Sequence, residues 1–215
     1  MNSELIRNDF PILKTKVGGH QIVYFDNAAT TQRPLPVVNA VLDYTTHENG
    51  NPHRGAHIFA ISASEAYDTS KEVVRDFIHA RSEKEIIYTR NTSESLNLVA
   101  RSYGETHLKA GDHILITIAE HHSNLVTWQR VAQKTGATLD YIYVDKETGH
   151  FPEEELKKID DPRVKLFAFA EVSNVLGIDF DPKPLIQRAH AHGAIVVLDG
   201  AQSTPHKPVD VQDLD

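Results

Sequence analysis

The sequence Val196-Val197-Leu198-Asp199-Gly200-Ala201-Gln202 places an acidic residue directly after an apolar run. The run at 194–198 is typical of a strand that is covered on both faces of a parallel sheet. A carboxylate at the end of such a strand is costly to bury unless a partner compensates its charge. We therefore expect Asp199 either to cap the next turn or to pair with a cationic group of a ligand, to which the small Gly200 and Ala201 leave access.

Elsewhere along the chain, short apolar runs alternate with longer stretches of helical periodicity. The predicted strands are 21–25, 85–89, 113–118, 138–143, 165–170 and 194–198. The predicted helices are 34–46, 62–80, 92–107, 124–135 and 182–192, the last two followed by Gly136 and Gly193 as C-terminal stops. This alternation predicts a three-layer α/β fold with a mainly parallel sheet. Ligands of such sheets bind at the carboxyl ends of the strands.

The segment after the predicted strand at 85–89 opens a helix. The helix N-terminus offers free backbone N–H groups, and Thr92 and Ser93 add two hydroxyls, which together favour a phosphate ligand. The alternative is ordinary capping by Asn91 and Glu94. Taken alone, this motif favours the capping alternative.

Two further strands are followed by polar side chains that suit a ligand. His121 and His122 follow the strand at 113–118, and one imidazole there can stack on a flat ligand or relay a proton. The alternative is a solvated or capping pair of histidines, with Ser123 or Asn124 as the helix cap. Asn174 precedes a glycine turn, where its amide either bonds a ligand oxygen or closes the turn.

Two features suggest a metal site and a catalytic lysine, but the residues around them argue against both. His53 and His57 have the spacing of a helical metal pair, but Pro52 and Gly55 disfavour a regular helix there, and no third ligand is evident. Lys207 lies in a polar segment next to a proline. We expect Lys207 to be exposed to solvent and not to be catalytic.

Composition narrows the functional class. The 215 residues are 40% hydrophobic and 24% charged, as in globular proteins, and the formal net charge of −8 argues against nucleic acid as a main partner. The chain has no cysteine, which excludes disulfides, thiolate metal sites and a cysteine nucleophile within it. No apolar run approaches the roughly 18 residues of a membrane helix, and residues 1–10 lack a signal-peptide core, so we expect no membrane association and a cytoplasmic location.

In their order along the chain, these sites resemble the class V aminotransferase family of fold-type I pyridoxal-phosphate enzymes. Within it, they look most like the Suf-type cysteine desulfurases, which are similar to selenocysteine lyases. The resemblance covers nearly the whole chain and rests on the segments FDNAA (25–29), HRG (53–55), NTSE (91–94), EHHSN (120–124), VSNVLG (172–177), DGAQ (199–202) and PVD (208–210). It implies an N-terminal segment at 1–20 and a partial cofactor-binding large domain at 21–215, with the remaining strands and a C-terminal small domain beyond it.

The resemblance also implies pyridoxal 5′-phosphate as the cofactor and no metal. Thr92 and Ser93 would hold its phosphate, Asp199 would pair with its pyridine nitrogen, and Gln202 would bond its phenolic oxygen. His121 would stack on the ring and could assist proton transfer. The residues implied near the amino-acid substrate are Ala28, Ala29, Arg54 and Asn174, the last also near the phenolic oxygen.

The implied reaction converts L-cysteine to L-alanine and passes the sulfur, as an enzyme persulfide, to a Suf-type acceptor protein for iron–sulfur cluster assembly. The full-length enzyme would be a homodimer. Its Schiff-base lysine, in a Ser-x-His-Lys motif, and its persulfide-forming cysteine would both lie beyond Asp215, so we expect this chain alone to be inactive. Two alternatives stay open: a selenocysteine lyase, and a natural non-catalytic remnant that acts as a binding or dimerisation module.

Overall fold

The computed structural model describes residues 3–214. The chain divides into two compact units, residues 1–73 and 74–215. This division does not test the boundary expected at residue 20, which stays a prediction. None of the helices within 3–214 combines the length and the apolar character needed to cross a lipid bilayer.

The first unit contains helices and one short hairpin. Its helices are α1 (Ser3–Asn8), α2 (Leu35–Asp43), which a π-helical turn (Tyr44–Glu48) continues, and most of α3 (Ile58–Phe77). Strands β1 (Lys16–Val17) and β2 (His20–Gln21) pair antiparallel across a Gly-Gly turn. The strand expected at 21–25 is wrong, since β2 ends at Gln21 and residues 22–26 have no regular structure.

The second unit is a parallel sheet with helices around it. Its strands are β3 (His113–Thr117), β4 (Thr138–Ile142), β5 (Val164–Ala170) and β6 (Ile195–Asp199), all parallel and in the order β4-β3-β5-β6. Its helices are α4 (Thr92–Val99), α5 (Glu105–His107), α6 (His122–Thr135), α7 (Glu153–Leu156), α8 (Pro182–Ala191) and α9 (Val211–Leu214). A π-helical turn (Ala100–Gly104) joins α4 to α5, so the helix predicted at 92–107 is nearly continuous.

Alternating side chains of β5 separate two hydrophobic cores. Phe167 and Phe169 point to one face and pack in a cluster with residues of α8. Leu166 and Ala168 point to the other face and share a cluster with Trp128 of α6. Helices therefore cover both faces of the sheet, which confirms the predicted three-layer α/β fold.

The strand predicted at 85–89 is absent from the sheet. Residues 83–85 form a 3₁₀ turn, and residues 86–89 have no assigned strand structure. Ile86 is buried and Ile87 is 69% exposed, as in a strand with one covered face. The side-chain pattern is present, but no described strand pairs with this segment, and pairing is what defines a strand.

Replacing a fully buried side chain of β5 tests the description of the core. We expect Phe167→Ala to lower the free energy of unfolding by about 3–5 kcal/mol, because its buried ring stacks on Phe169 and its loss leaves a cavity. Leu98→Ala is the control, since it truncates a side chain of α4 that is 44% exposed. Urea denaturation followed by far-ultraviolet circular dichroism measures both, and equal losses would contradict the assigned core.

Candidate active site

The carboxyl ends of β3, β5 and β6 lie side by side at one edge of the sheet, because the three strands are parallel neighbours. The segments that follow them are hydrogen bonded to one another. The N–H of Glu171, after β5, donates to the carbonyl of Asp199 in β6 over 3.1 Å. The hydroxyl of Ser173 donates to the carbonyl of Ala119, after β3, over 3.1 Å. The structure thus brings the predicted sites after these strands into one region.

Asp199 is the last residue of β6 and is only 5% exposed. Its Oδ1 accepts a hydrogen bond from the N–H of Ala201 over 3.0 Å, so the side chain does cap the following turn. Among residues 3–214, no lysine, arginine or histidine forms an ion pair with this carboxylate. A buried carboxylate of this kind suits a cationic group of a ligand.

Gly200 and Gln202 belong to the turn that follows Asp199. A Cβ at Gly200 would lie 2.9 Å from the hydroxyl of Thr204, so a side chain at this position would force that hydroxyl to move. Gln202 is half-buried in the same turn. The position of Gln202 beside Asp199 therefore depends on how this turn is held.

The N-terminus of α4 carries both features that the sequence offers as alternatives. The side chain of Asn91 accepts a hydrogen bond from the N–H of Glu94 over 3.0 Å, and Glu94 accepts from the N–H of Arg90 over 2.6 Å. The capping interpretation is therefore confirmed, with Arg90 as the second partner. The hydroxyls of Thr92 and Ser93 make no hydrogen bond within residues 3–214, which leaves them available to an anion at this helix N-terminus.

His121 caps α6, and its ring is exposed. Its Nδ1 accepts a hydrogen bond from the N–H of Ser123 over 3.1 Å and lies 2.6 Å from the hydroxyl of the same residue. The capping interpretation is confirmed, but the cap is His121 itself. A cavity of about 360 Å³, lined in part by Ser93, His121 and Ser123, lies between the starts of α4 and α6. The expected phosphate cradle is therefore adjacent to the histidine.

Asn174 is exposed in the turn at 174–176, which precedes Gly177. The preceding Ser173 is fully buried, and its hydroxyl accepts a hydrogen bond from the N–H of Leu176 over 3.2 Å while donating to Ala119. Ser173 therefore ties the turn of Asn174 to the segment that carries His121. Ser173 lies within the motif that contains Asn174, but the sequence pattern does not indicate its role.

Three predicted substrate residues belong to the first unit. Ala28 and Ala29 are exposed in a turn, and exposed Arg54 follows His53, whose φ of 58° is left-handed. The N–H of His53 donates to the hydroxyl of Ser64 over 2.8 Å. The expectation that no regular helix spans 53–57 is confirmed, because α3 begins at Ile58. The roles of the three residues stay predictions.

Glu120 is a buried acid whose separate role the sequence pattern does not indicate. Its carboxyl group accepts hydrogen bonds from the hydroxyl of Thr117, the amide of Asn124 over 2.6 Å and the N–H of Ala170 over 3.1 Å. Burial, together with a smaller effect of the charge of Asp199, raises the pKa of Glu120 to about 7 against the opposing effect of these hydrogen bonds. The network joins β3, β5 and α6 and fixes the segment that presents the adjacent histidine.

Lys207 is half-buried and ion-paired, so the expectation of a solvent-exposed lysine is wrong. Its Nζ lies 2.6 Å from Oε1 of Glu171 and 2.7 Å from Oδ1 of Asp179. Burial lowers the pKa of Lys207, but the hydrogen bonds to Asp179 and Glu171 outweigh it, and the net pKa is raised. The amine is therefore held protonated near neutral pH, which makes it a poor nucleophile.

Comparison with known proteins places the chain in a family. Residues 23–215 match the family model described as aminotransferase class-V. The chain belongs to this family. A probable cysteine desulfurase of Halalkalibacterium halodurans is 46% identical over 214 residues, which make up 100% of this chain and 52% of that protein. The chain spans about half the length of this relative.

Two solved structures share the fold. An apo cysteine desulfurase from Thermococcus onnurineus is 41% identical, has a TM-score of 0.90, and is matched over 100% of this chain and 51% of its own. The cysteine desulfurase CsdA from Escherichia coli is 36% identical, has a TM-score of 0.87, and is matched over 100% and 52%. These likenesses confirm the fold-type I large domain, of which the chain contains a part.

The family implies pyridoxal phosphate as its cofactor, and the described residues fit that group. Buried Asp199 lacks a cationic partner among them, as a partner of the pyridine nitrogen should. The start of α4 presents two hydroxyls for a phosphate, and His121 exposes an imidazole at the adjacent cavity. The individual residue roles remain predictions.

The raised pKa of Glu120 predicts how stability changes with pH. The folded protein keeps this proton up to a pKa of about 7, whereas the unfolded chain releases it near the usual value of 4.5. The contribution of Glu120 to the free energy of unfolding should therefore fall by about 3 kcal/mol as the pH rises from the unfolded pKa to the folded one. Glu120→Gln should remove this part of the slope.

Urea unfolding at several pH values between about 5 and 7 measures the slope for each variant. Glu154→Gln is the control, because this glutamate is exposed and should leave the slope as in the wild type. Parallel curves for the wild type and Glu120→Gln would contradict the predicted protonation of Glu120.

Proposed function

We propose that the protein to which this chain belongs is a pyridoxal-phosphate-dependent cysteine desulfurase, which takes sulfur from L-cysteine and leaves L-alanine. The observation that carries the proposal is Asp199, a buried carboxylate that has no cationic partner in the described residues and lies at the carboxyl end of β6. The names of the relatives, which match almost all of this chain, support the choice of substrate.

When bound, pyridoxal phosphate supplies an electron sink that weakens the bonds at the α-carbon of an amino acid. Asp199 keeps the ring nitrogen protonated, because each charge of an ion pair favours the charged form of the other. Gln202 and Asn174 hold the phenolic oxygen with their amides. These contacts orient the ring and keep it cationic.

Thr92 and Ser93 would donate from their hydroxyls to the phosphate at the N-terminus of α4, where the helix dipole favours a negative charge. His121 would cover the ring, and its exposed imidazole would carry a proton to or from the substrate. The cap that Nδ1 of His121 accepts from the N–H of Ser123 fixes how the imidazole is oriented. Ala28, Ala29 and Arg54 are the residues proposed to contact the amino-acid substrate.

We extend the proposal to the wider pathway of the sulfur. The segments 120–124 and 199–202 resemble those of Suf-type enzymes, which favours a Suf-type acceptor protein, iron–sulfur cluster assembly as the destination of the sulfur, a homodimer, and a cytoplasmic location. The 215 residues contain no cysteine, so the proposal requires a thiol that this chain does not supply.

Asp199→Asn tests the proposed role of the buried carboxylate. An amide carries no negative charge to keep the ring nitrogen protonated, so in the full-length protein we expect sulfide release from L-cysteine to fall by at least about a hundredfold. Asp213→Asn, which changes an exposed carboxylate, should leave the rate unchanged.

Three outcomes decide between the candidate functions. A rate for Asp199→Asn equal to the wild type would overturn the proposed role of Asp199. Activity of the wild type on L-selenocysteine alone would replace the proposal with a selenocysteine lyase. Cofactor binding without any turnover would favour a non-catalytic module.

The 215-residue chain by itself should release no sulfide from L-cysteine above a control with cofactor alone. It contains no cysteine to accept sulfur, and Lys207, which the sequence analysis weighed as a catalytic lysine, is held by two carboxylates. A colorimetric sulfide assay on the purified chain measures this. Release above the control would show that the reaction does not need the missing thiol and lysine.

A further inference from the structure

Glu171 contacts both ends of one segment of the candidate site. It directly follows β5 and is 4% exposed. Its backbone N–H donates to the carbonyl of Asp199 over 3.1 Å, and its side-chain Oε1 lies 2.6 Å from Nζ of Lys207. Glu171 therefore contacts both the first and the last residue of the segment 199–207, which includes Gln202.

The segment between these two contacts is a continuous series of turns. The N–H of Thr204 donates to the carbonyl of Gly200 over 3.0 Å, and the N–H of Lys207 donates to the carbonyl of Ser203 over 2.9 Å. Ser203 is fully buried. Because these hydrogen bonds link Lys207 to Ser203 and Thr204 to Gly200, we expect a displacement of Lys207 to shift the residues that precede it, including those next to Asp199.

Glu171 depends on Lys207 for compensation of its charge more than Lys207 depends on Glu171. Oε2 of Glu171 is buried and has no hydrogen-bond partner within the described residues, and Lys207 is the one cation paired with this side chain there. Lys207 has a second partner in Asp179, whose side chain is 55% exposed. Removing Lys207 would therefore leave the charge of Glu171 buried and uncompensated.

We propose that Glu171 and Lys207 form a positioning pair, which holds the turn at 199–207 closed and thereby sets Asp199 and Gln202 against the cofactor ring. The proposal rests on the proposed function, because it concerns the same cofactor. Lys207 does not touch the ring in this arrangement and acts only through the turn. No role for this pair is implied by the motifs on which the family resemblance rests.

Lys207→Met tests the pair, since it keeps most of the side-chain length and removes the charge. In the full-length protein, freed of cofactor, we expect the dissociation constant for pyridoxal phosphate to rise about tenfold, as is common when a residue that supports a ligand contact is lost. Lys207→Arg should keep an affinity close to that of the wild type. An absorbance titration measures the affinity of each variant.

Lys183→Met is the matched control, because Lys183 forms an exposed ion pair with Asp213 over 2.6 Å. We expect it to bind the cofactor as the wild type does. If Lys207→Met does not fold, the variant Glu171→Gln/Lys207→Met removes the buried charge together with its partner, and it should still show weakened binding. Wild-type affinity in a folded Lys207→Met protein or in the double variant would overturn the proposal.

Amide hydrogen exchange provides a readout that does not depend on the cofactor. The N–H groups of Thr204 and Lys207 should exchange faster in Lys207→Met than in Lys183→Met, because the turn is released at one end. Unchanged exchange would overturn the positioning pair. If the wild-type protein binds no pyridoxal phosphate, the proposed function fails, and the exchange result alone decides whether the pair holds the turn.

Discussion

Three acidic side chains are nearly excluded from water at the carboxyl ends of neighbouring parallel strands, and the arrangement of the candidate site follows from how each charge is compensated. Glu120 follows β3, Glu171 follows β5, and Asp199 ends β6. Glu120 accepts three hydrogen bonds and has a pKa raised by burial. Glu171 pairs with Lys207. Asp199 has a backbone hydrogen bond but no cation among residues 3–214, which is why it is the residue best suited to a cationic ligand.

The hydrophobic cores on both faces of the sheet exclude water from this edge. Residues of β5 alternate between the two cores, so water is excluded up to the last residue of the strand. Charges interact more strongly in such surroundings than in water. The charge of Asp199 accordingly raises the pKa of Glu120 across the intervening strand. A cation that binds Asp199 would therefore act on a network that also holds the segment of His121.

The sequence was sufficient to predict the strands that belong to the sheet, and it was wrong about two others. Apolar runs located β3 to β6 to within about one residue at each end. The runs at 21–25 and 85–89 have similar composition but are not strands. Strand formation requires a partner that is distant along the chain, and residue composition does not report that partner. The alternation of buried Ile86 with exposed Ile87 shows that the local signal was present.

The same distinction separates the site residues that the sequence predicted from those that it missed. Asp199 ends an apolar strand and His121 comes shortly after another, so their position alone marked them as candidates. Lys207 seemed typical of a solvated segment because its neighbours in sequence are polar, whereas its partners Glu171 and Asp179 belong to another part of the chain. Side chains suited to a ligand come at the ends of strands, which local patterns reveal. The side chains that hold these residues in place are recognised by their contacts with other strand ends. Those contacts form only in the folded sheet.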